Sequence, residues 1–213
     1  MTESYVISAV SAKGSMGNYL QVNSYKAGQF TDVDEDQWYG FNQQKVIARA
    51  YEYGLMKGDS ATTFKPAGNV TVAEAITIAA RVHSIYTTGS ESFVQGPTWY
   101  EVYIDYALAN GIIAANDFTS YTRAATRAEM AYIFSRALPA EEFAARNTVN
   151  ALPDVNSGTP YRDAIVMLYR AGVLLGDASG TFYPGNNITR AEAAAIISRV
   201  ILPDTRGSGK TFG

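Results

Sequence analysis

Two arginines in this chain stand where helix physics disfavours them. Arg127 and Arg190 occur in ATRAEMAYIFSRA and NITRAEAAAIISRV, each between a threonine and the residues Ala-Glu. Thr-x-x-Glu is a capping box, in which the threonine oxygen accepts the third helical amide and the glutamate accepts the N-cap amide. The arginine is then the first helical residue, at an end already made positive by its unpaired N–H groups. A cation there costs about 0.3–1 kcal/mol. Two readings stand. Either the guanidinium is solvated or paired with a nearby carboxylate, or it sits beside free helix amides to receive a carboxylate from a ligand. In the third occurrence of the pattern, TVAE, Val72 replaces the arginine.

Other chemistries fall away on their residues. DVDEDQW sets Asp32, Asp34 and Asp36 at the alternation of a calcium loop, but Gln37 and Gln43 stand where that loop needs glycine and glutamate. Asp32 is better read as a helix-entry turn residue, since Asp154 recurs without the other acids. GSGKT near the end lacks the first glycine of a phosphate loop and has no room for a following helix. His83, the only histidine, excludes histidine triads and multi-histidine metal sites and reads as a helix-surface residue. The repeated glutamates already have a capping task, so no unique acid pair is left for catalysis. No enzyme, metal or cofactor is expected.

Trp38, Trp99 and Tyr161 recur at the head of three helical segments, where an amphipathic ring stacks on a sugar or plugs the core; plugging is the commoner role. Gly58 and Gly176, in KGD and LGD, are placed to let a ligand approach the backbone; Ala115 takes that position in the middle segment.

The elements that position these residues come from an internal repeat. Gly54 to Glu74, Gly111 to Glu129 and Gly172 to Glu192 are separated by 20, 18 and 20 residues, and an arginine follows each glutamate by 7, at Arg81, Arg136 and Arg199. Each copy reads as helix, loop, helix. The first helices are predicted at 40–53, 100–110 and 161–171, each ending on a glycine suited to a left-handed C-terminal turn. The second helices start at the capping boxes and carry apolar stripes such as Ile196, Ile197 and Val200. Pairs this short bury too little alone, so the copies must share a core. The expectation is an all-α fold of three helix-loop-helix repeats in a pseudo-threefold bundle. The repeats span 30–86, 87–138 (degenerate) and 139–202. Residues 1–29 form an extension with a short β-hairpin from YVISAV and YLQVN, and 203–213 a flexible tail.

The composition sets the remaining bounds. With 213 residues, 47% of them hydrophobic, the chain can bury a shared core. A net charge of −3 provides no basic field for nucleic acid. There is no cysteine and no apolar run long enough to span a membrane. The opening MTESYVISAV lacks the basic and apolar regions of a secretory signal.

The elements FTDV…W, GLMKGD…TFKP…TVAE and LPDV…GVLLGD…GTFYP…ITRAE resemble the S-layer homology (SLH) repeat over about residues 30–202, most closely in the first and third copies. The resemblance implies a three-repeat spindle that is exported and anchors a bacterial surface protein to the cell wall. Its implied partner is a wall polysaccharide bearing pyruvylated N-acetylmannosamine, held in grooves between repeats, with the anchor part of a larger surface protein. Carried over by position, it implies carbohydrate contacts at Arg127, Arg190, Asp32, Asp154, Trp38, Trp99, Tyr161, Gly58 and Gly176. Val72, Ala115 and the aspartate missing from the middle copy imply unequal grooves, at least one of them weak or silent. A structural or protein-interaction module of the same fold, without glycan binding, is the alternative.

Overall fold

The structure is a computed structural model and describes residues 14–213. Among them are six α-helices: α1 (Val46–Glu52), α2 (Val72–Thr88), α3 (Glu101–Ala109), α4 (Arg127–Ser135), α5 (Arg162–Arg170) and α6 (Arg190–Ile201). A two-stranded parallel sheet joins β1 (Thr148–Val149) to β2 (Thr211–Phe212).

The long helices α2, α4 and α6 start where the capping boxes put them. Thr71, Thr126 and Thr189 each accept the amide of the glutamate three residues on, and that glutamate accepts the threonine amide in return. The short helices agree with expectation for α3 and α5, but α1 begins six residues later than predicted. Residues 35–44 form successive turns instead. Gly40 folds so tightly over Glu35 that a Cβ would lie 2.3 Å from the Glu35 carbonyl oxygen, and Lys45 enters α1 in the left-handed conformation.

Each short helix packs on the long helix of a different pair: α3 on α2, α5 on α4, and α1 on α6. The chain thereby closes on itself. At the centre, the residues just before the three capping boxes form a ring of backbone hydrogen bonds. Val70 N–H donates to the Ile188 carbonyl (3.0 Å), Ile188 to Ala125 (3.1 Å) and Ala125 to Val70 (2.8 Å). All three side chains are fully buried. Leaving such amides unpaired in an apolar centre would be costly, so the ring fixes how the three helix starts meet.

Two expectations at the ends are corrected. YVISAV lies outside the described residues, while YLQVN is not a strand: Val22 and Asn23 donate their amides to the Glu52 carbonyl at the end of α1, not to a hairpin partner. The tail is not loose either. Thr211–Phe212 pairs with β1, and the Phe212 ring packs edge-on against the buried Tyr169 at 5.1 Å. Arg206 is also buried, its guanidinium donating to the Arg199, Val200 and Glu142 carbonyls, which closes the C-terminus of α6.

Candidate functional site

The helix starts that carry the arginines are fully satisfied. Beyond the capping box, the first two amides of each long helix donate to carbonyls in the loop of another pair. Val72 and Ala73 donate to Arg123 and Tyr121, Arg127 and Ala128 to Asn186 and Pro184, and Arg190 and Ala191 to Gly68 and Pro66. No free amide remains at these ends for an anion, so the reading in which helix N–H groups receive a ligand carboxylate is corrected. The amides serve to join the pairs.

The arginines cross the same boundaries. Arg190 donates from Nε to the Phe64 carbonyl and from Nη2 to the Lys57 carbonyl, both at 2.8 Å. Its guanidinium lies 4.8 Å from the Phe64 ring, and its Nη1 is 3.6 Å from Glu74. Arg127 repeats this arrangement, with Nε to the Phe182 carbonyl (2.6 Å), the guanidinium over the Phe182 ring (5.0 Å) and an ion pair to Glu192. Each cation therefore neutralises the capping glutamate of another pair. Where Val72 removes the donor, Arg123 takes its place and binds Glu129 through two hydrogen bonds of 2.9 and 2.6 Å. Burial works to raise the Glu129 carboxyl, but the bonds from Arg123 and Thr126 outweigh it and hold the group below its ordinary value. Arg127 still has donor capacity, because its Nη2 makes no hydrogen bond among the described residues.

Around these arginines the structure assembles two grooves from three pairs each. One is lined by Gly58 from the first pair, Trp99 from the second and Arg190 from the third. The other is lined by Gly176 from the third pair, Trp38 from the first and Arg127 from the second. They enclose about 570 and 320 Å3, within the usual size of small-ligand sites. Both indoles stand in the open at 41% and 49% exposure, each resting edge-on against the following tyrosine. They do not plug the core, which corrects the commoner expectation for such rings.

The glycines that line the grooves have an internal reason to lack a side chain. A Cβ on Gly58 would meet the Ser60 carbonyl at 2.3 Å, and one on Gly176 the Tyr169 hydroxyl at 2.5 Å. The missing side chain makes room inside the loop. Asp32 and Asp154 are absent from the residues lining either groove. Asp32 accepts the Phe64 and Lys65 amides (2.8 and 2.7 Å), and Asp154 the Phe182 and Tyr183 amides (2.9 and 2.6 Å). These clamps hold Lys65 and Tyr183 at positive φ and place the phenylalanines against which the arginines stack.

Tyr161 lines a third depression, of about 910 Å3, together with Tyr132 and Arg136. Tyr132 stacks on it with centroids 4.4 Å apart, and the Tyr132 hydroxyl donates to Asp117 at 2.6 Å. Burial first, then the Asp117 hydrogen bond, pushes the Tyr132 phenol up to about 12. The other grooves carry the smaller Thr77 and Ala195 at the same register, three residues after the capping glutamate. Tyr132 was not singled out in the sequence; its bulk beside Thr77 and Ala195 is the signal that would have found it.

Three further arginines follow the capping glutamates by seven residues and reach toward the ends of the short helices. Arg81 donates to the Gly54 and Leu55 carbonyls, Arg136 to Gly111 and Arg199 to Val173. The constant spacing displayed them as register marks, with no hint that Arg81 and Arg199 line the grooves.

Similarity to known proteins agrees with this architecture. The chain is 30% identical over 141 residues to the surface-layer 125 kDa protein of Lysinibacillus sphaericus, covering 62% of this chain and 12% of that protein. It is 26% identical over 185 residues to an endoglucanase of Bacillus sp. (strain KSM-635), covering 81% of this chain and 18% of the enzyme. It is 46% identical over 63 residues to the outer membrane protein SlpA of Deinococcus radiodurans, covering 30% of this chain and 5% of that protein. The chain thus spans less than a fifth of the length of these relatives. Residues 29–76 and 151–194 match the sequence model of the S-layer homology domain. These two segments belong to the S-layer homology domain family, and each carries a capping box and an aspartate-clamped loop.

Proposed function

We propose that this chain is a non-covalent cell-wall anchor that binds wall polysaccharide, at pyruvylated N-acetylmannosamine termini, in the grooves holding Gly58 and Gly176. S-layer homology domains anchor bacterial surface proteins to the cell wall and are themselves non-catalytic. The repeats are taken as 30–86, 87–138 and 139–202, in pseudo-threefold order, with 1–29 as an extension. The much longer relatives support an anchor that carries further domains of a larger surface protein.

One observation carries the glycan reading. Two separate grooves each collect a guanidinium and an exposed indole from different helix pairs. Exposed indoles contribute nothing to the core, and a flat ring beside a cation suits a sugar that carries a carboxylate. Asp32 and Asp154 act behind this surface by holding the loops, and Tyr161 stacks on Tyr132 in the third depression. The inter-pair bonds of Arg127 and Arg190 support the alternative, a structural or protein-interaction module without glycan binding.

Pull-down on purified bacterial cell walls separates the two. Wild type should sediment with walls whose polymer is pyruvylated and not with walls lacking pyruvate. The Trp38→Ala/Trp99→Ala variant should bind at least about 30-fold more weakly, as expected for loss of hot-spot rings. Both rings are exposed, so the fold should survive. Equal sedimentation of the variant, or indifference to pyruvate, supports the alternative.

A further inference from the structure

Arg81, Arg136 and Arg199 occupy one register and reach toward the ends of the short helices, yet their outer faces differ. Arg136 lies over the Tyr132 ring at 4.7 Å, in the third depression. Arg81 carries a carboxylate: Glu91, from the linker after α2, accepts from its Nε and from its Nη2 (2.9 Å), and lines the same groove as Trp99 and Arg190. The linker is seated there by Phe93, whose ring packs on Tyr103 at 4.7 Å and Tyr106 at 5.2 Å. Arg199 has no carboxylate among the described residues. Its surroundings add a cation instead, since burial and then Arg49 lower its proton affinity. A partly buried guanidinium with a second cation nearby and no acid beside it is a place where an anion is stabilised.

We infer that Arg199 is a second carboxylate contact in the Gly176 groove, and that Glu91 fills the corresponding place in the Gly58 groove with an anion of the chain's own. The inference rests on the anchoring proposal for the identity of the natural carboxylate, but the electrostatics can be read without it. The Gly176 groove presents Arg199 and the unbonded Nη2 of Arg127 to an incoming acid, beside the Glu192 that pairs with Arg127. The Gly58 groove must first displace Glu91, and its Arg190 is already engaged with two carbonyls.

Titration of the full 15N-labelled chain with sodium pyruvate, following the arginine Nε–Hε signals, tests this. The Arg199 signal should move at a concentration roughly 10-fold or more below that needed for Arg81, the scale of one charge-assisted contact. In Glu91→Gln the two should respond within about threefold of each other. Glu91 is on an exposed linker, so thermal unfolding should confirm that this variant folds. Equal responses in wild type, or a gap unchanged in Glu91→Gln, overturn the inference. Because free pyruvate is the probe, a chain that shows the gap but ignores cell walls would sink the anchoring proposal alone.

Discussion

Arg127, the first residue of α4, is ion-paired with Glu192, the capping glutamate of α6, and stacks on Phe182 from the loop between α5 and α6. The penalty of a cation at a helix start is offset by a bond to a different helix start. Arg190 repeats the arrangement with Glu74 and Phe64, so these arginines hold the bundle together as well as facing the grooves.

Arg190→Ala should therefore destabilise the free protein. It removes two hydrogen bonds from a charged donor and leaves the Phe64 and Lys57 carbonyls without that partner, a loss of about 1.5–3 kcal/mol. Thr189→Ala should cost about 1 kcal/mol through the cap alone. Urea unfolding of the two variants gives the comparison, and an Arg190→Ala variant as stable as wild type would contradict the inter-pair role.

Asp154→Ala should also destabilise, by about 1.5–3 kcal/mol, because both carboxylate oxygens hold loop amides and Tyr183 loses the clamp on its left-handed backbone. Asp163→Ala, at an almost fully exposed position, is the control and should stay within about 0.5 kcal/mol of wild type. Denaturation midpoints decide it.

Tyr132→Thr should widen the third depression and cost stability, since the stack on Tyr161 and the bond to Asp117 both go. It should not create a sugar site, because Val72 supplies no arginine at the helix start and the Arg123 guanidinium there is held by Glu129. Tyr132→Thr combined with Val72→Arg should. Calorimetry with the methyl glycoside of pyruvylated N-acetylmannosamine would show one more equivalent bound than in wild type; unchanged stoichiometry counts against the groove comparison.

His83 gives a pH handle. It is half-buried with Nδ1 2.9 Å from the Tyr106 hydroxyl, and burial lowers its imidazole from the ordinary 6.5. The unfolded chain then binds this proton more readily than the folded one. The contribution to stability is full above pH 6.5 and is lost as pH falls through the folded value. Proton NMR of this single imidazole should show a midpoint below 6.5, and wild type should lose more thermal stability between pH 7 and 5 than His83→Gln. A midpoint at or above 6.5 would remove the effect.

The features legible in sequence were those with local causes. Capping boxes announce themselves within four residues, and α2, α4 and α6 start at them. Gly54, Gly111 and Gly172 all take the left-handed conformation just after a short helix. What escaped depends on partners far along the chain. Gly40 looked like a helix start because nothing nearby reveals that it folds onto Glu35. Thr211–Phe212 looked loose because its partner, β1, lies some sixty residues earlier. The arginines were recognised as misplaced, but Phe64, Lys57 and Glu74 are a long way from Arg190 in sequence, so the alternative of internal pairing could not be closed. Tyr132 and Glu91 make the grooves unlike one another, and neither belongs to the repeated pattern.

The packing of α1 against α6 bears on how the molecule comes into being. The ribosome releases α1 when more than half of the chain, including its partner, has yet to be made. The helices that pair with near neighbours, α3 on α2 and α5 on α4, can dock as they emerge, whereas α1 must wait. Closing so distant a contact is entropically slow, and until it happens the apolar faces of α1 and α6 stay exposed to wrong partners. This contact joins the first described helix to the last, and a break in the chain between them turns it from a loop closure into the meeting of two separate pieces.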